Sequence, residues 1–247
     1  MTGQCRRMTT STPARPPART RSTKVAAVEN DTRDCIVRAA LGLFAKHGID
    51  GVSLRQIVSA AGQSNPSAVH YHFQSKEGLI SAVIDHVNDQ LNPLQQQSLA
   101  LIHAAQARGG LTVREVVKLA ALPFVNLYAA SYDGRMAIRF LSRLTWQRDV
   151  LGQERLFSQA WSFWRDVVLI LHPLIPQKSV ETLMFQGILT GCTLLHGLAD
   201  MSLLGRQSAF GLENFLEDRS AEMFECFCDY MAGGLSGPTL QEFATAA

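Results

Sequence analysis

"GVSLRQIVSAAGQSNPSAVHYHFQSKEGL", residues 51–79, contains a succession of helix-start signals. Ser53 with Gln56 three positions on forms a capping box, and Val52 and Ile57 occupy the two positions of a hydrophobic staple. Leu54, Ile57, Val58 and Ala61 then share one face until Gly62 ends the helix. Asn65 before Pro66 is biased to the extended backbone of an N-cap, and Pro66 at the first helical position loses no hydrogen bond. Ser75 is the next cap. The spacing predicts helices of about eight and seven residues, the second over Pro66–His72, joined by the turn Gly62–Asn65. Two short helices joined by a tight turn that begins with Gly form a helix-turn-helix.

Upstream, Asp31-Thr32 offers a helix start, with Ile36, Ala39, Ala40, Leu43 and Phe44 at helical period and Gly48 as a left-handed stop. Downstream, Leu79, Ile80, Val83, Ile84, Val87 and Leu91 continue from Ser75 until Pro93, which is expected to stop that helix. Beyond it, apolar helical segments are expected at 94–107, 112–131, 134–148, 152–172, 178–204 and 213–232. Glycines and prolines mark the breaks, among them Gly109-Gly110, Asp133-Gly134 and Gly233-Gly234. No alternating strand pattern and no repeat interrupts this, so the fold class is all-α. The expected organisation is a disordered basic arm over 1–28, a helix-turn-helix domain over 29–92, a larger helical domain over 93–235 and a loose C-terminus over 236–247.

The arm is rich in Pro, Ser and Thr. It carries Arg6, Arg7, Arg15, Arg19, Arg21 and Lys24 without an acid, although the whole chain has a formal charge of only +2. An acidic partner such as nucleic acid would suit it, and so would a solubilising leader. Met8 is an alternative start. Five scattered cysteines and no signal-peptide pattern fit reduced thiols in the cytoplasm. Thr182–Ala199 has no formal charge and approaches the length of a membrane span, but Gln186, Thr190, Thr193, His196 and its glycines favour a buried interface helix.

"AALGLFAKHGIDGVSLRQIVSAAG" (39–62) together with "VHYHFQSKEGLISAV" (69–83) resembles the TetR family of transcriptional regulators, over about residues 30–92. The resemblance implies an N-terminal three-helix, homeodomain-like reading head followed by a helical ligand-binding and dimerisation domain. It implies a homodimer on a pseudo-palindromic operator in double-stranded DNA, with a small-molecule effector and no cofactor. In such a head Val69 and Phe73 pack inward. Ser64, Asn65, Ser67 and Ala68 reach base edges, while His70, Tyr71 and Lys76 contact phosphates. Arg55, beside the cap Ser53, reaches a base or the backbone. His72 packs within the domain. Two departures stand out: His70 replaces the usual Tyr, and the loop Gln63–Asn65 is one residue longer than the common pattern.

His70 and His72 do not share a helix face, and no acid or Cys completes a metal set, so no metal site is expected. No nucleophile–base arrangement or phosphate loop suggests an enzyme. Candidate ligand-pocket residues in the larger domain are Phe140, Trp146, Phe157, Trp161, Trp164, His172 and His196, each of which could equally fill a core. The expected dimer interface uses Met184, Ile188, Gly191, Leu195 and Leu198 of one helix. Leu216, Met223, Phe227 and Tyr230 of the next complete a four-helix bundle between two copies. The sequence thus points to a ligand-responsive regulator, most simply a repressor. An activator of the same fold, or a helical enzyme or carrier without DNA binding, is the alternative.

Overall fold

The structure, a computed structural model, describes residues 20–63, 65, 67–146, 153–204 and 220–238. Among these the protein is all helical: α1 (Thr20–His47), α2 (Leu54–Ala60), α3 (Ala68–Phe73), α4 (Lys76–Arg108), α5 (Val113–Ala130), α6 (Tyr132–Trp146), α7 (Gln153–Leu171), α8 (Val180–Leu204) and α9 (Ser220–Ser236). A 3₁₀ turn, His172–Leu174, follows α7.

The first three helices form the expected head. Ile36, Leu41 and Phe44 of α1, Ile57 of α2, Val69 of α3 and Leu79 of α4 are buried in one cluster. The capping box at Ser53 is formed: the Gln56 backbone N–H donates to Ser53 Oγ, and the Ser53 N–H donates to Gln56 Oε1 at 2.8 Å.

Two boundaries differ most from the sequence expectation. Helix α1 begins at Thr20, not Asp31, so residues 20–28, expected within the arm, are helical; residues 1–19 lie outside the described residues. No proline lies between Pro17 and Asp31, and Lys24, Ala26, Ala27 and Glu29 are good helix formers, so a cap-like Asp-Thr pair does not interrupt the turn above it. Helix α4 runs straight through Pro93 to Arg108, absorbing the expected 94–107 segment. The missing proline N–H costs roughly 3 kcal/mol in a helix interior. Here Pro93 faces solvent while Leu91, Gln95, Ser98, Leu99 and Ile102 are buried on either side, and that packing holds the helix together. The expected domain boundary at 92/93 therefore falls inside a helix.

Gly109 and Gly110, both at positive φ, make the next break. The α5–α6 corner is so close that a Cβ on Gly134 would lie 1.8 Å from the Leu127 carbonyl oxygen. That corner breaks at the extended Ser131, whose Oγ accepts from the Gly134 N–H, so Asp133 and Gly134 belong to the first turn of α6.

Helix α6 joins the two parts of the molecule. Phe140 stacks on Phe44 of α1 with ring centroids 6.3 Å apart. Arg143 donates from Nε to the Ala45 carbonyl at 2.9 Å and from its terminal nitrogen to that of Lys46 at 3.0 Å. These carbonyls belong to the last turn of α1, where a cation also meets the negative end of the helix dipole. Lys46 in turn lies 5.6 Å from the Tyr132 ring centroid. Elsewhere, Arg114 and Lys118 of α5 pair with Glu225 of α9, and Arg114 also holds Asp229. The buried Lys178 donates to the Leu235 carbonyl near the end of α9 and to Gln186 of α8.

Val180–Asp200 is long and apolar enough to cross a membrane by composition alone. In this fold Leu183, Leu194, Leu195, Leu198 and Ala199 of that helix are buried against neighbouring helices.

Candidate nucleic-acid interface and effector cavity

The head presents its polar residues on one side. Ser53 and Arg55 of the α2 start, Asn65 and Ser67 of the turn, and His70 and Tyr71 of α3 are all exposed, Tyr71 by 71%. Val69 and Phe73 are buried beneath them and Ala68 is half-buried. Ser64 and Pro66 lie outside the described residues.

Regular α3 starts at Ala68, two residues after the expected start. Asn65 still organises the turn: its Oδ1 accepts from the Ser67 N–H at 2.9 Å, and its carbonyl accepts from that of Ala68 at 3.1 Å. The Asn65 amide nitrogen is left as the donor that can face outward. His70 Nδ1 donates to the carbonyl of Gln74, which closes α3 at φ 65°. His72 sits edge-on to Tyr71 at 4.9 Å and tilted against Phe73 at 6.0 Å. Arg33 lies 5.3 Å from the Phe73 ring centroid.

Lys76 has a role the spacing did not reveal. Its ammonium donates to the Val52 carbonyl at 2.9 Å, pinning the start of α4 to the residue before the α2 cap. An ammonium has three donors, so this bond leaves two for a phosphate. Among the described residues, no three His, Cys, Asp or Glu side chains stand close enough to hold a metal ion.

Residues 36–83 match the family model of bacterial regulatory proteins of the tetR family. Across its three-helix head the chain is therefore similar to that family. Over 74 residues it is 40% identical to the HTH-type transcriptional repressor NicS of Pseudomonas putida, which takes in 30% of this chain and 34% of that repressor. The chain thus spans about a third of the length of that curated relative. Among solved structures, a putative TetR-family transcriptional regulator from Rhodococcus sp. superposes with a TM-score of 0.51 at 14% identity, covering 83% of this chain and 97% of that one. A gamma-butyrolactone receptor (ArpA-like protein) gives 0.51 at 16% identity, covering 84% and 99%. SmeT, the repressor of the Stenotrophomonas maltophilia multidrug efflux pump SmeDEF, gives 0.50 at 16%, covering 83% and 90%. At these identities the likeness speaks for the fold, and it extends through the helical body as well as the head.

Within the helical body, the described aromatic candidates do not gather around one cavity. Phe140 is core, packed between α6 and α1. Trp164 is half-buried, stacked on Phe124 at 5.9 Å, and borders a void of only about 20 Å³. His172 lies in the 3₁₀ turn, and His196 Nε2 is 3.3 Å from Thr145 Oγ1. The side chains of Trp146, Phe157 and Trp161 lie outside the described residues.

The larger cavity, about 470 Å³, opens between α5, α6, α8 and α9. Leu122, Val125 and Tyr128 form its α5 wall, and Arg135 enters from α6. Leu198 of α8 with Met223 and Phe227 of α9 line it too. Those three, expected at the dimer interface, line this cavity within the single chain.

Burial within the single chain also varies along α8. Leu195 and Leu198 are only 8% and 7% exposed within a single chain. A Cβ on Gly191 would meet Trp164 at 2.9 Å, and one on Gly187 would meet Val168 at 3.3 Å. The close helix neighbour that these glycines admit is therefore α7 of the same chain. The outward face of α8 carries Phe185 (63% exposed), Ile188 and Leu189, with Leu169 of α7 and Tyr230 of α9 also exposed. Of the predicted interface set, Ile188 and Tyr230 are exposed, Met184 is half-buried, and Leu216 lies outside the described residues.

Proposed function

We propose that this protein is a cytoplasmic, homodimeric transcriptional repressor. It binds a pseudo-palindromic operator in double-stranded DNA and leaves it when a small, largely apolar effector enters the α5–α6–α8–α9 cavity. The observation that carries the DNA-binding half is the polar, exposed set Arg55, Asn65, Ser67, His70 and Tyr71 over a fully apolar base. A side chain at the leading end of α3 can reach base edges in a major groove, while Tyr71, His70 and the free donors of Lys76 take phosphates.

The dimer supplies the second head. Exposed Phe185, Ile188 and Leu189 form an apolar strip on α8, the kind of patch that marks an interface. Effector action travels along α6, which reaches the cavity with Arg135 and holds the end of α1 with Arg143. A shift of α6 would move α1, and with it the spacing of two heads that must fit half-sites about 34–36 Å apart.

Selection of bound fragments from genomic DNA tests the reading. The expected product is a two-fold symmetric consensus. Ser67→Ala and Asn65→Ala should each change the preferred base at one position per half-site, costing about 1–3 kcal/mol on the old site. An unsymmetric or random pool from the wild-type protein would remove operator recognition altogether. An unchanged consensus for both variants would move base reading to other residues.

A further inference from the structure

We propose that the cavity takes an amphipathic monoanion, a monocarboxylate on an apolar chain or ring, with its carboxylate on Arg135. This rests on reading the cavity as the effector site. Its volume of about 470 Å³ suits a small organic molecule, since ligand sites commonly span roughly 300–1,000 Å³. The walls are almost wholly apolar: Leu122, Val125, Leu194, Leu198, Phe224 and Phe227. Among the described lining residues Arg135 is the one charged side chain, and the Tyr128 phenol gives the chief other polar group.

Arg135 differs from the arginines that hold this fold together. Arg114 is paired with Glu225 and Asp229, and Arg143 with the carbonyls of α1. The Arg135 guanidinium makes no hydrogen bond or ion pair with any described residue. It stands at the border between water and an apolar space.

The choice of ligand follows by elimination. A neutral apolar molecule would strip water from the guanidinium and return nothing, which is unfavourable for a charged donor. A cation would be repelled. A dianion would bring a second charge with no partner among the lining side chains. A single carboxylate matches the planar fork of the guanidinium in two parallel hydrogen bonds, stronger beside an apolar wall than in water. The Tyr128 hydroxyl adds a group for any remaining lone pair, and the hydrocarbon part lies against Leu and Phe.

Gly197 provides a way to close the cavity. It lines the space within α8, and a Cβ there would meet nothing within 4 Å. A leucine at 197 therefore occupies ligand space without displacing the packed core.

The test is calorimetric titration of the purified full-length protein with the linear monocarboxylates from hexanoate to dodecanoate, and with the 1-alcohols of the same lengths. The expected result is that one or more acids bind about ten- to a hundred-fold tighter than the matching alcohol, the ratio one charge-assisted hydrogen-bonding pair provides. Arg135→Leu should erase that preference, and Arg135→Glu should shift it to the alkylammonium ion of the same length. Gly197→Leu, checked by its thermal melt, should block acid and alcohol alike; the exposed Arg135 substitutions keep the test decisive should that variant unfold. Equal binding of acid and alcohol to the wild type, or an undiminished preference in Arg135→Leu, overturns the anion while leaving the cavity as the effector site. Binding untouched by a folded Gly197→Leu variant places ligands elsewhere and overturns both. Absence of binding by every acid overturns the proposal.

Discussion

Residues 53–76 change between apolar and polar every few positions, whereas Thr182–Ala199 runs without a formal charge. The first holds the short helices α2 and α3 with the turn between them and the second is helical throughout, yet their sequences specify different things. In the head, each helix has a cap and a polar side, so its start and its buried face are both written locally: Ser53 binds Gln56, Ser75 receives the Gly78 N–H, and Val69 and Phe73 go inside. In α8 the helical state is plain and the rotation is not. An apolar stripe locates the core only when a polar stripe opposes it. Around α8 almost every side could be buried, and the choice falls to contacts made hundreds of atoms away along the chain. Trp164 of α7 settles against Gly191, and that contact turns Leu195 and Leu198 inward and Phe185, Ile188 and Leu189 outward.

The largest expected effect breaks this comparison directly. Leu195→Glu puts a carboxylate into the interior of a single chain, with a cost of about 3–5 kcal/mol from desolvation and lost packing. The protein should melt at markedly lower temperature or fail to fold. Leu189→Glu, about 120° away around α8 and 50% exposed in the single chain, should leave the melt of the chain largely intact and convert the dimer to a monomer in sedimentation, with loss of tight operator binding. If Leu195→Glu yields a folded monomer while Leu189→Glu stays dimeric, the inward and outward faces of α8 have been exchanged.

How far the sequence could be read follows the same division. The all-α class, the three-helix head and the Ser53 box follow from caps and periodicity that lie within a few residues of one another. The length of α4 does not, because Pro93 signals a stop locally and is overruled by burial of Leu91 and Gln95 on either side. The start of α1 at Thr20 is similar: an Asp-Thr pair is a cap only if the chain before it leaves the helix. In the candidate site, exposure of Arg55, Asn65, Ser67 and Tyr71 accords with their spacing, whereas the bond from Lys76 to Val52 spans twenty-four residues and has no local mark. The cavity is the least legible part. Its walls come from four helices, and the residues that line it (Leu122, Gly197, Phe224) look like any other core positions. Large aromatics stand out more in sequence, yet as Phe140 shows, a big ring fills a gap between helices as readily as it lines one.

A second prediction sharpens the contrast between a locally specified head and a body that acts through packing. Arg143 belongs to the body but bonds to the last turn of the head's first helix. Arg143→Gln removes both charge-assisted bonds and should weaken the α6–α1 joint by about 1–2 kcal/mol, since hydrogen bonds to charged groups are worth a little more than that when well buried. Operator affinity without effector should change little. Release by decanoate, or by whichever monocarboxylate binds best, should shrink from the five- to 150-fold range typical of coupled sites toward no release. Calorimetry of the same variant should show the carboxylate still bound. Unaltered release in Arg143→Gln would mean that the signal reaches the head without the α6–α1 bonds.

The smallest effect concerns Lys76, where the two kinds of specification meet in one side chain. Its ammonium ties α4 to Val52 and keeps two donors for a phosphate, so Lys76→Ala removes a structural and a DNA contact together. Losing a phosphate contact lowers affinity for every sequence alike and reduces the slope of log affinity against log salt by about one. Losing the Val52 bond lowers stability by about 0.5–1.5 kcal/mol, the usual net contribution of one hydrogen bond. Lys76→Gln separates the two. A glutamine amide can still donate toward the Val52 carbonyl but carries no charge, so the melt should recover in part while the salt slope stays reduced. Operator titrations at several salt concentrations, alongside melts of both variants, distinguish the roles. A wild-type salt slope in both variants with a lowered melt would make Lys76 a strut of the head and leave Tyr71 and His70 as the phosphate-facing groups of α3.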